Sequence, residues 1–83
     1  MSSLEITIPA TAEMDARRLA LLVQTASTFD ADIHLTHEER RINAKSLMGT
    51  MALRLAAGET VLITAEGKDE AAATETLAAF LKE

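Results

Sequence analysis

The hydrophobic pattern changes period several times within 83 residues, and that alternation leaves few folds open. Leu4, Ile6 and Ile8 alternate with Glu5 and Thr7, the period of two that marks a half-buried strand. Pro9 ends it, because proline has no N–H for a ladder. After a linker, Ala10 to Met14, the residues Leu19, Leu22, Val23 and Ala26 recur at helical spacing. Asp15 opens this helix, since a carboxylate accepts from the free N–H groups of a first turn. Thr25, Ser27 and Thr28 loosen its end, and Phe29 covers it. Ala31, Ile33 and Leu35 then alternate with Asp32, His34 and Thr36. The polar run His37-Glu38-Glu39 connects that strand to a third one, Arg40 to Ala44, with Ile42 inward. Ser46 reads as the N-cap of a short second helix whose apolar side is Leu47, Met48 and Met51. Leu53 and Leu55 lead into a turn at Gly58. Thr60 to Glu66 is a strand with Val61, Ile63 and Ala65 on one face. Gly67 and Lys68 turn the chain, and Asp69 caps a last helix on which Ala73, Leu77, Phe80 and Leu81 share a face.

The resulting order, β-α-β-β-α-β-α, predicts an α+β open-faced sandwich with its helices gathered on one face of an antiparallel sheet. No repeat or linker interrupts the order, so residues 1–83 are expected to form a single domain. A chain this long buries roughly 60–65% of its unfolded surface, enough for one modest core. With only Phe29 and Phe80 as aromatics, that core has to be aliphatic.

Composition narrows the function. There is no cysteine, hence no disulfide, thiolate metal site or cysteine nucleophile. The formal net charge is −5, which disfavours direct nucleic-acid binding, where lysine and arginine must neutralise phosphates. Basic residues nonetheless cluster at Arg17-Arg18, Arg40-Arg41 and Lys45, while the chain from Glu66 onward is acidic; such spots suit a single anionic group or an acidic protein. No apolar run spans a bilayer, and the start MSSLEITIPA lacks signal-peptide character, so a cytoplasmic protein without membrane insertion is expected. The three glycines are scattered, leaving no phosphate-binding loop and no sign of an enzyme or a cofactor. His34 and His37 invite a metal reading. Residues three apart on a strand point to opposite faces, however, so both are read as solvated surface residues and no metal is expected.

Two segments carry chemistry. Asp15-Ala16-Arg17-Arg18 places two guanidinium groups in a helix first turn, where free N–H groups and the dipole favour an anion. Its plainer reading is a capping aspartate with surface arginines. Lys45-Ser46-Leu47-Met48-Gly49-Thr50-Met51 places a hydroxyl at a helix start, where phosphorylation would add about −1.5 to −2 charges. Methionines there suit an adaptable contact surface; the plainer reading is a capping serine over a buried methionine face.

Together with Leu22-Val23-Gln24-Thr25-Ala26-Ser27 and Asp30-Ala31-Asp32-Ile33, these segments resemble the HPr/Crh family of the bacterial sugar phosphotransferase system. The resemblance covers nearly the whole chain and implies the HPr-like fold, a four-stranded antiparallel sheet with three helices on one face. In that family a histidine at the first helix's N-terminus takes phosphate from enzyme I and passes it to a IIA component. It is usually followed by Ala-Arg-Pro. The matching positions here are Asp15, Ala16, Arg17 and Arg18, so the alanine and first arginine agree while the histidine and proline do not. Ser46 matches the serine phosphorylated by HPr kinase/phosphorylase, with Lys45, Leu47, Met48, Gly49 and Met51 matching its surroundings. The serine-phosphorylated form in the family binds the carbon catabolite repressor CcpA. Crh also lacks the histidine and is regulatory. Arg54 and Ala57 stand where these relatives usually have glycine and lysine.

The resemblance implies a regulatory protein switched at Ser46, impaired as a phosphocarrier. A carboxylate faces an anionic donor with a like charge, where a neutral imidazole does not. Its implied partners are HPr kinase/phosphorylase and a CcpA-like regulator, reached through Arg17, Leu47, Met48 and Met51, with weakened contacts to enzyme I and IIA. The alternatives are a carrier that uses Asp15 or a diverged enzyme I, and a constitutive binding module in which Asp15 partly mimics the phosphorylated state.

Overall fold

Seven elements follow one another in the computed structural model, which describes residues 1–83. They are β1 (Ser2–Thr7), α1 (Ala16–Ser27), β2 (Asp32–His37), β3 (Arg40–Asn43), α2 (Leu47–Ala52), β4 (Thr60–Glu66) and α3 (Glu70–Lys82). The order is the one the periodicity predicts. The strands lie in the order β1-β4-β2-β3, each antiparallel to its neighbours. The last strand therefore slots between the first and second. Its register pairs Ile6 with Val61, Leu35 with Ile63 and Ile33 with Ala65, which brings the apolar residues of three strands into rows on one face. No helix is long and apolar enough to cross a membrane.

Those rows meet the helices. Ile6, Ile8, Ile33, Leu35, Val61, Ile63 and Ala65 are buried, and with Leu22 and Ala26 of α1 and Ala73, Leu77 and Leu81 of α3 they belong to one continuous cluster. Each large aliphatic side chain so enclosed contributes about 1.5–3 kcal/mol. Leu4, expected on the inward side, remains exposed because β1 is an edge strand. The outward residues Glu5, Thr7, Asp32, His34, Thr36 and Thr64 are polar, as a sheet covered on one side favours, and Leu62, paired with Glu5 and Thr36, is the apolar exception.

Two expectations need correction. Asp69 does not cap α3 with its side chain. Its carboxylate reaches across the molecule and accepts from the backbone N–H of Asp30 (2.8 Å) and Ala31 (2.9 Å). The Asp30 N–H, with help from that of Ala31, holds the carboxyl below its usual range. The N–H of Gly67 is met instead by Glu70 Oε1 at 3.2 Å. The apolar side assigned to α2 is also not its buried side. Thr50 and Leu53, three residues apart and so on one face, turn inward, and this leaves Leu47, Met48 and Met51 outside.

Arg54 adopts φ 54°, a left-handed conformation that costs a side-chain-bearing residue roughly 1–2 kcal/mol. Arg54→Gly should therefore raise stability by about 0.5–1 kcal/mol, after the greater freedom of glycine in the unfolded chain is subtracted. Urea denaturation reads this directly, and an unchanged or lower midpoint would show that Arg54 makes a compensating contact.

Candidate functional site

The chemistry-bearing residues gather at the N-termini of α1 and α2, two helices that pack against each other. The chain enters α1 through a turn closed by the Ala12 N–H on Pro9 O (3.0 Å), with Ala12 and Met14 resting on the core. Asp15 is extended (φ −80°, ψ 176°), and its Oδ1 accepts from the Arg18 N–H at 2.9 Å. It is exposed, as is Arg17, which makes no hydrogen bond or ion pair. Arg18 does not join them. Its Nη2 donates to the carbonyls of Phe80 (2.8 Å) and Glu83 (3.0 Å), and its guanidinium stacks 4.9 Å from the Phe80 ring. The carbonyl end of α3 and an aromatic face both attract a cation, so this arginine serves packing. Of the two first-turn arginines, Arg17 alone remains free at the surface.

At α2, Ser46 is also extended (φ −101°, ψ 117°), and its Oγ accepts from the Gly49 N–H at 3.1 Å. The approach is fixed by Asn43, whose carbonyl accepts from Ser46 N–H and whose Oδ1 accepts from Lys45 N–H (2.9 Å). Lys45 Nζ donates to Phe29 O at 2.6 Å, which ties the residue before the serine to the end of α1. A Cβ at position 49 would lie 3.3 Å from Ser46 Oγ, so glycine leaves room beside the hydroxyl. Met48 is 84% exposed, Met51 47% and Leu47 42%, which makes them an outward apolar surface rather than a buried methionine face. Leu21 of α1, at 44%, is a further exposed aliphatic that the sequence reading passed over. Its signal was present: it falls off the Leu19, Leu22, Val23, Ala26 stripe.

The Ser46 hydroxyl meets a donor and no base, so nothing nearby removes its proton. Such a group accepts a phosphoryl group only when an external catalyst supplies the base.

The histidines lie on opposite faces, as strand geometry predicts. His34 is on the outer face with Asp32, Arg41 and Thr64. His37 is not the solvated residue expected. Its side chain is 12% exposed, hydrogen-bonded through Nδ1 to Thr60 O (3.0 Å) and flanked at Nε2 by Glu59 and Glu38. Its position at the end of β2 folds it under the start of β4, a long-range contact that alternation alone does not reveal.

Residues 2–83 match the family model described as the PTS HPr component phosphorylation site. The chain belongs to the HPr family. Among HPr-family relatives, the HPr-like protein Crh of Bacillus subtilis is 43% identical over 70 residues, covering 84% of this chain and 82% of Crh. The crystal structure of the phosphocarrier protein HPr from Bacillus anthracis superposes with a TM-score of 0.92 at 37% identity, covering 98% of this chain and 96% of the other. HPr from Thermoanaerobacter tengcongensis gives 0.91 at 38% identity, covering 98% and 91%. The four-stranded sheet and its three helices are thus the HPr fold, and the two capped helix starts are features of an HPr-family member.

Proposed function

We propose that this HPr-family chain is a Crh-like regulatory phosphoprotein, a single cytoplasmic domain switched at Ser46 and impaired as a phosphocarrier. The observation that carries this reading is the contrast between the two helix starts. One presents a serine hydroxyl bordered by exposed Leu47, Met48 and Met51. The other presents a carboxylate, already engaged with the Arg18 N–H, at the position that the sequence resemblance matches to the family's phosphoryl-accepting histidine.

HPr-family proteins work with phosphotransferase components and a protein kinase as carriers or regulators, not as enzymes. In this reading HPr kinase/phosphorylase supplies the base that Ser46 lacks. The phosphoryl group adds about −1.5 to −2 charges and three strong acceptors beside the Gly49 N–H. A CcpA-like regulator then recognises the new dianion together with the methionine surface and Arg17. Methionine fits that role because its unbranched side chain repacks against different partners. Enzyme I and IIA contacts persist only weakly, since Asp15 opposes an anionic donor.

Incubation with HPr kinase and ATP should add one phosphoryl group by intact mass, and Ser46→Ala should add none. An unphosphorylated wild-type protein under conditions that modify a standard HPr would end this reading.

A further inference from the structure

Ser46 needs support from outside its own helix. α2 has six residues, well short of the roughly 12–15 at which an isolated helix holds together. Burial of Thr50 and Leu53 fixes its far half, and burial of Ala44 fixes the chain that enters it. Between those anchors, Lys45 supplies the link to α1 by donating to the Phe29 carbonyl at 2.6 Å. That carbonyl and the Asp30 N–H belong to one peptide unit, and the N–H donates to Asp69 Oδ2 at 2.8 Å. A cation thus holds the oxygen side of a single amide while a carboxylate holds its nitrogen side. Each partner polarises the amide in the sense that strengthens the opposite bond. Asp69 Oδ1 accepts in addition from the Ala31 N–H at 2.9 Å, so the carboxylate straddles two successive amides. Its carboxyl is held low chiefly by the Asp30 N–H, and the Lys45 charge acts in the same direction.

We infer that Lys45 and Asp69 are positioning residues for the Ser46 hydroxyl, gripping the Phe29–Asp30 peptide from its two sides and so fixing the start of α2. The inference rests on the reading of Ser46 as a phosphoryl acceptor. A kinase has to align its base and the terminal phosphoryl group of ATP with Ser46 Oγ, and a misplacement of about 1 Å costs on the order of a hundredfold in rate. Oγ is set on one side by its bond from the Gly49 N–H at 3.1 Å. On the other it is set by the backbone of Lys45, whose N–H is on Asn43 Oδ1 and whose ammonium is on Phe29 O. Arg17 is exposed and free to meet a partner, whereas Lys45 is partly buried and already engaged, which suits holding rather than recognition. Asp69 is bonded to Asp30 and Ala31 and acts on Ser46 through that peptide and Lys45.

The experiment measures kcat and KM for phosphorylation by HPr kinase and ATP across four proteins: wild type, Lys45→Met, Lys45→Arg and Asp69→Asn. Lys45→Met should lower kcat about tenfold, the scale of one lost charge-assisted hydrogen bond, with KM nearly unchanged because Leu47, Met48 and Met51 are untouched. Lys45→Arg keeps a cationic donor and should recover most of the loss. Asp69→Asn should lower kcat about threefold, and combined with Lys45→Met it should add less than its separate effect, since both act on one peptide. Amide exchange of the Gly49 N–H should quicken in the same order with no kinase present. Should Lys45→Met lose its fold by circular dichroism, Lys45→Arg and Asp69→Asn carry the comparison. Normal kcat and unchanged Gly49 exchange in folded Asp69→Asn would overturn the inference. So would a Lys45→Met defect confined to KM, which would make Lys45 a direct kinase contact. A wild-type protein that the kinase leaves unmodified ends the Ser46 reading instead, and Gly49 exchange still decides whether the two residues hold the hydroxyl.

Discussion

Under the proposed reading, Asp15→His should convert a poor substrate of enzyme I and phosphoenolpyruvate into one that carries an acid-labile phosphoryl group. The expected gain is at least about a hundredfold in rate, a conservative figure for supplying a missing nucleophile. The reason is electrostatic and local. Asp15 offers a carboxylate with Oδ1 committed to the Arg18 N–H, whereas an imidazole offers a neutral nitrogen at the same helix start. The substitution removes a cap and should cost about 1 kcal/mol of stability. Asp15 and Arg18 form a matched pair in this light. Asp15 can cap only because position 18 has an N–H to donate, and a proline there would have none. Arg18 in turn fastens α1 to the end of α3. A folded Asp15→His protein that enzyme I still ignores would show that the acceptor atom was not what the site lacked.

The largest loss of stability is expected from Gly67→Ala. Gly67 has φ 150°, and a Cβ there would stand 2.8 Å from the Cα and 3.1 Å from the Cβ of Ala31. Ala31 cannot retreat: it is buried in the core, and its N–H is held by Asp69 at 2.9 Å. Strained backbone and an overpacked contact together should cost about 3 kcal/mol or more, which lowers the thermal midpoint of a domain this size by roughly 12–24 °C. Gly58→Ala is the control. Gly58 also has positive φ, 85°, but nothing lies within 4 Å of its Cβ position, so the expected cost is only about 1 kcal/mol. Equal midpoints for the two variants would mean that the close approach to Ala31 contributes nothing.

These residues also show which features were legible from sequence. β4 runs from Thr60 to Glu66 as its alternation indicates, and Asp15 and Ser46 cap their helices through bonds to residues three positions away. Such features are written in neighbouring residues. The same local rule makes Asp69 a cap, and it does otherwise because its partners, Asp30 and Ala31, lie far back in the chain. Arg18 belongs by sequence to the anion-attracting first turn, yet Phe80 and Glu83 claim it. His37 reads from its strand as a solvated residue, and the fold sets the Thr60 carbonyl and Glu59 beside it. The outward turn of Leu47, Met48 and Met51 had a similar cause: Leu53 and Leu55, which follow α2, anchor it with Thr50 inward. In each case the competing partner is brought close by tertiary packing, which periodicity does not encode.

The strand order has a consequence for how the molecule is made. β1 pairs only with β4, so Ser2 finds its partner at Ala65 and Thr7 at Thr60. During synthesis the first strand must wait, unpaired, while more than fifty further residues are added, a delay of roughly 3–12 s at ordinary elongation speeds. The hairpin of β2 and β3 can close early, but the aliphatic row of β1 stays in water until nearly the whole chain has emerged. Non-local pairing of this kind slows folding, and it leaves the newborn polypeptide dependent on its last third to shelter its first few residues.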